Sequence, residues 1–75
     1  MTKEVSPQYQ PGMTVRATLD GLEAECRVVR RTQYTMWIDV EPFGLRAGNE
    51  ACIDIGGKWG HLEGIGPYSG VHVLA

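Results

Sequence analysis

Polarity alternates residue by residue on both sides of the dipeptide Asp20-Gly21. Before it, Val15, Ala17 and Leu19 fall on one face of an extended chain, and Thr14, Arg16 and Thr18 on the other. Successive strand side chains point to opposite faces, so a period of two marks a half-buried strand. Asp-Gly suits a two-residue hairpin, whose central residues both take positive φ. After it, Leu22, Ala24, Cys26 and Val28 share one face, and Glu23, Glu25, Arg27, Val29 and Arg31 the other. Arg30 continues the inner alternation and is expected to escape at the strand end. The first two strands, MTVRATLD and LEAECRVVRR, are therefore expected to pair antiparallel.

The rest of the chain repeats this grammar. TMWIDVE reads as a third strand, with Met36, Ile38 and Val40 inward and Trp37, Asp39 and Glu41 outward. PFGLRAGN is broken by Pro42, Gly44 and Gly48, and Phe43 or Leu45 is expected to plug the barrel end. EACIDI is the fourth strand, with Ala51, Ile53 and Ile55 inward. Gly56-Gly57 is a second tight turn, and KWGHLEGI a fifth strand whose glycines imply bulges or sharp coiling. VHVLA is the sixth, with Val71 and Val73 on one face. No segment shows helical periodicity. Short strands between frequent turns indicate a sandwich or barrel, and closure removes exposed edges. The expected fold is all-β: a small five- or six-stranded antiparallel barrel of the split-barrel or SH3-like kind, without a long helix.

The chain has 75 residues, enough for one domain. It is expected over 11–75, behind a polar, flexible N-terminal segment at 1–10. A domain this short buries only ~60% of its unfolded surface, so its stability is slim without help. Apolar content of 43% with 21% charged residues excludes a disordered chain. There is also an internal echo. PGMTVRATLDGL aligns with AGNEACIDIGGK, matching Gly12 to Gly48, Val15 to Ala51, Ala17 to Ile53 and Leu19 to Ile55. It fits a barrel of two similar halves, and equally the general likeness of strand-turn-strand units.

The formal charge of −2 gives no global pull toward nucleic acid or an anionic membrane. No apolar run approaches the ~20 residues of a membrane span, and MTKEVSPQYQPG has no signal-peptide core. A cytoplasmic location, no membrane and reduced cysteines are the expectation. Cys26 and Cys52 show no metal-type spacing. With His61 and His72 they could make a four-ligand zinc set only through long-range coincidence, so free thiols are expected, with no metal and no cofactor.

Against that acidic background, CRVVRRTQY puts Arg27, Arg30 and Arg31 within one short stretch. Planar guanidinium groups suit phosphate forks, and Tyr34 and Trp37 lie near enough in sequence to stack on a base. These five residues are the candidate ligand site, for a cyclic dinucleotide or nucleic-acid phosphates. The plainer alternative is a solvated strand face with cross-strand pairs. Trp37 and Trp59 are candidate contacts for a protein partner or a second copy of the chain; covering a barrel end is the competing role. The glycine-rich stretch at 60–70 lacks a phosphate-loop ending, and Gly64-x-Gly66 alone carries no such function. His61 and Glu63 share a strand face, but a filled small barrel offers them little cavity for acid–base work. No enzyme is expected.

In their order, PGMTVRATLDG, CRVVRR, MWIDVEPFG and LRAGNEACIDI resemble the small N-terminal barrel of PilZ-type flagellar-brake proteins, over about residues 11–65. That barrel opens with a Pro/Leu-Gly-x-x-Val strand, followed by a long second strand and a strand ending in Pro. The PilZ family binds cyclic di-GMP through Arg-x-x-x-Arg and a later Asp/Asn-x-Ser-x-x-Gly motif. Arg27 and Arg31 have the first spacing, but DIGGKWG at 54–60 does not match the second. The family's arginines also precede its barrel rather than lie inside a strand. The resemblance thus implies a PilZ-like accessory or interaction barrel more than a cyclic di-GMP receptor. The expected function is a non-catalytic protein-interaction or regulatory module, with cyclic di-GMP or nucleic-acid binding as the alternative.

Overall fold

β1 (Thr14–Leu19) and β2 (Leu22–Arg31) pair antiparallel in a computed structural model, which describes residues 4–45, 48–54, 58–62 and 70–74. At the turn, Asp20 has φ 51 and Gly21 φ 82, the two positive values that a primed hairpin needs. Aspartate tolerates the left-handed region better than most residues, and glycine enters it freely. Val15 faces Cys26 and Ala17 faces Ala24, as the alternation requires.

Four more strands follow: β3 (Met36–Asp39), β4 (Glu50–Asp54), β5 (Trp59–Leu62) and β6 (Gly70–Val73). A 3₁₀ turn, Glu41–Phe43, lies between β3 and β4. Each strand is antiparallel to the one before it, and β6 returns to β1 through Ala17↔Val73 and Leu19↔Val71. The barrel is closed with six strands and leaves no sheet edge. No helix among the described residues is long and apolar enough to cross a membrane.

The inward sets meet in one core. Val28, Met36, Ile38, Val40, Ile53, Val71 and Val73 are fully buried, each worth ~1.5–3 kcal/mol relative to exposure. Phe43 and Leu45 both pack half-buried against this core. Leu22 departs from its expected place: it faces Leu19 at the hairpin end and is 60% exposed, because the wall stops before it. Ile55, also expected inward, lies outside the described residues. The described part of β5 pairs with β4 and β6 in unbroken register, without the expected bulge, and its Gly60 instead serves a close approach to the neighbouring strand. A Cβ there would overlap the Cys52 carbonyl oxygen and lie 2.7 Å from the Ile53 Cα.

The internal echo extends to geometry. Gly12 and Gly48 have φ 93 and 91, and Val15, Ala17, Ala51 and Ile53 are all buried. β1 and β4 stand opposite each other in the closed ring.

Residues 4–10 are docked on the barrel rather than loosely held. Val5 and Tyr9 belong to the core, at 2% and 7% exposure. The Val5 amide donates to the Gln33 carbonyl at 2.9 Å. Two apolar side chains in a polar stretch suffice to dock it, because the barrel end offers them cover.

Candidate functional site: the outer face of the barrel

A one-residue irregularity decides where the arginines go. β2 and β3 are in register at Val28↔Ile38, then shift, so that Arg30 faces Trp37 and Arg31 faces Met36. Val29 is the extra residue. A single inserted residue reverses the parity of everything beyond it. Arg30, expected on the inner face, therefore stands outside beside Trp37. Arg31, expected outside, turns to the side of the buried Met36.

The cluster accordingly divides into three environments. The Arg30 guanidinium lies 4.6 Å from the centroid of the Trp37 ring, and its Nη1 is 2.8 Å from Glu50 Oε1. Arg31 reaches under the N-terminal segment. Its Nη1 donates to the Ser6 and Tyr9 carbonyls at 2.7 and 2.9 Å, and its Nη2 to the Val5 carbonyl at 2.9 Å. Its Nε donates to the Thr32 carbonyl at 3.2 Å. Arg27 opens onto a shallow groove of about 520 Å³, lined also by Thr14, Glu25, Asp39, Glu41 and Pro42. Three carboxylates around one guanidinium make this groove unwelcoming to a phosphate. Tyr34 stays exposed in the turn between β2 and β3.

Register assembles a second surface that letter order does not reveal. Trp37 faces Cys52, and Cys52 faces His61. One step along the strands, Asp54 faces Trp59 and Trp59 faces His72. Arg30, Trp37, Cys52, His61, Trp59 and His72 thus form a continuous stripe on the outside of β2 to β6. Trp59 lies flat on His72, with ring centroids 3.9 Å apart and planes within 4°. It remains 51% exposed. The alternation of VHV carried the signal for His72, whereas the glycines of KWGHLEGI left the face of Trp59 ambiguous. Their stacking needed the β5–β6 register, which the sequence does not state.

The thiols part company. Cys26 points into the core, and burial, with the charge of Asp39 adding to it, pushes its thiol up to about 11. Cys52 sits half-buried on the outer face. Cys26 therefore cannot join Cys52, His61 and His72 around one ion. Among the described residues, no group of three His, Cys, Asp or Glu side chains could hold a metal. Glu63, the expected neighbour of His61, lies outside the described residues, as do Gly64 and Gly66.

No family model, curated protein or solved structure matches the chain.

Proposed function

We propose that the chain is a non-catalytic binding module that docks a protein partner on the outer face of β3 to β6. Trp59 is the central anchor, and Trp37 under Arg30 is the second contact. The observation that carries this reading is the Trp59–His72 stack, which holds a half-exposed indole in one orientation. An exposed aromatic already fixed in place surrenders little conformational freedom on binding, and Trp is the commonest interface hot spot. A closed barrel supports such a face rigidly, because the stripe runs across paired strands rather than loops. The resemblance of residues 11–65 to PilZ-type barrels points the same way, toward a regulatory module.

A phosphate site built on Arg27, Arg30 and Arg31 is the weaker reading. Arg31 already donates to four carbonyls, three of them in the N-terminal segment.

The test pairs the wild-type protein with Trp59→Ala, both checked for fold by circular dichroism. A partner isolated on the wild type is purified, and its affinity for each form is measured by calorimetry. Loss of about thirtyfold or more in affinity is the expected result for a hot-spot residue; equal affinity would remove Trp59 from the interface. Size-exclusion chromatography with light scattering asks whether the partner is a second copy. A concentration-dependent dimer lost in Trp59→Ala would say that it is, and a monomer at high micromolar concentration would remove that version.

A further inference from the structure

The segment at 4–10 is attached to the barrel in an unusual way. It has no strand or helix of its own. Its backbone donates to the barrel through the Val5 amide, to the Gln33 carbonyl, and at its root through Gly12, to the Val28 carbonyl. Between those points its carbonyls converge on one side chain: the oxygens of Val5, Ser6 and Tyr9 all accept from the Arg31 guanidinium. Glu4 Oε1 accepts from Gln33 Nε2 at 2.6 Å, on the exposed rim. The strands, by contrast, are each held along both sides by ladders around a closed ring.

Opening such a segment breaks few bonds and unseats two side chains, Val5 and Tyr9. The carbonyls and the guanidinium it frees are groups that water satisfies well. Opening a strand would break two ladders and expose the core. Regions with few attachments open locally, well below the cost of global unfolding. Pro11-Gly12 lies where the segment meets β1, and the φ of 93 at Gly12 makes the bend there.

The segment also borders an open apolar surface. Tyr9 lines a groove of about 250 Å³ together with Met13, Val15 and Leu74. Met13 is 46% exposed along it. Displacing Val5 and Tyr9 would join their vacated seats to this groove and make one apolar trough at the barrel end.

We infer that residues 4–10 form a strap that opens and closes over one end of the barrel while the barrel stays folded, with Arg31 as its latch. Closed, the strap covers an apolar surface with its own Val5 and Tyr9. Open, it presents that surface. Arg31 is suited to the latch because a planar fork reaches three separated carbonyls at once, which the point charge of a lysine does not.

Amide hydrogen exchange by NMR on the full chain tests this in three forms: wild type, Arg31→Lys, and Arg16→Lys as a control in the exposed Arg16–Glu23 pair. In the wild type, the Val5 and Tyr9 amides are expected to exchange about a hundredfold faster than the Val73 amide, which is bonded to the Lys58 carbonyl across the β5–β6 side of the ring. Arg31→Lys should speed Val5 and Tyr9 by about tenfold or more, and Val73 by no more than that factor, because the latch is lost on global unfolding too, so the gap between strap and barrel persists. Arg16→Lys should move neither. Equal rates for Val5 and Val73 in the wild type would overturn the inference, since the strap would then open only when the barrel unfolds. Unchanged Val5 and Tyr9 rates in Arg31→Lys would overturn it too, because Arg31 would then not be what holds the strap closed.

Discussion

Gly60 packs against the backbone of Cys52 on the neighbouring strand so closely that a Cβ would overlap the Cys52 carbonyl oxygen. The obstacle is backbone in a closed ring, not the movable end of a side chain. Gly60→Ala is therefore expected to destabilise the protein by roughly 3 kcal/mol or more, at the upper end of overpacking costs. Urea unfolding reads this as a lower midpoint at unchanged slope. A loss under about 1 kcal/mol would mean that β4 and β5 move apart easily at this contact.

The Trp59–His72 stack gives a second, independent test. Both residues are partly exposed, so Trp59→Ala alone should cost little stability. The pair should still couple. A double-mutant cycle with Trp59→Ala and His72→Ala is expected to return about 0.5–1 kcal/mol of interaction. His72→Ala alone should make Trp59 more open to acrylamide quenching. A coupling of zero with unchanged quenching would show that the indole is not held by the imidazole in solution.

The alternation around Asp20-Gly21 made β1, β2 and their register legible, because a one-sided core enforces parity. The same period in TMWIDVE placed Trp37 outward, whereas the glycines of KWGHLEGI left the face of Trp59 ambiguous. Alternation failed where parity itself broke. Nothing in VVRR marks a bulge: there is no glycine, and Val29 suits a regular strand. Yet the extra residue sent Arg30 out to Trp37 and Arg31 in toward Met36. The docking of Val5 and Tyr9 was illegible for a related reason. Two isolated apolar residues carry no period, and their cover comes from the barrel end and from Arg31, far along the chain. The Trp59–His72 contact lay between these cases, with the face of His72 readable and the strand pairing not.

Burial of Cys26 gives the stability a pH dependence with a definite sign. An ordinary thiol ionises near 8.5, as it would in the unfolded chain, whereas in the folded protein it is pushed up to about 11. The folded state therefore keeps its proton while the unfolded state loses one. The stabilising contribution is complete below pH ~8.5 and is lost as pH rises toward 11, by an upper limit of about 3 kcal/mol. Cys26→Ala removes this component, so its stability should fall less steeply than that of the wild type across that window. Parallel curves would mean that Cys26 is not buried in solution. At neutral pH the same burial should make Cys52 alkylate well before Cys26.

The arginines separate most cleanly by comparing two substitutions on one strand. Arg31 is a half-buried donor to backbone carbonyls, and its removal leaves the Val5, Ser6 and Tyr9 oxygens without that partner. Arg31→Ala is expected to cost roughly 2–3 kcal/mol, as loss of charge-assisted bonds does. Arg27 is exposed in a groove among Glu25, Asp39 and Glu41, and Arg27→Ala should fall within about 0.5 kcal/mol of the wild type. Thermal unfolding of both variants checks this. The same proteins, isotope-labelled and titrated with cyclic di-GMP, test the phosphate reading. No saturable amide shifts over residues 27–37 are expected at millimolar ligand. Saturable shifts there, abolished by Arg27→Ala and by Arg31→Ala with little loss of stability in either, would reverse the assignment: the arginines would then form a nucleotide site, and the carbonyl contacts of Arg31 would be what the ligand displaces.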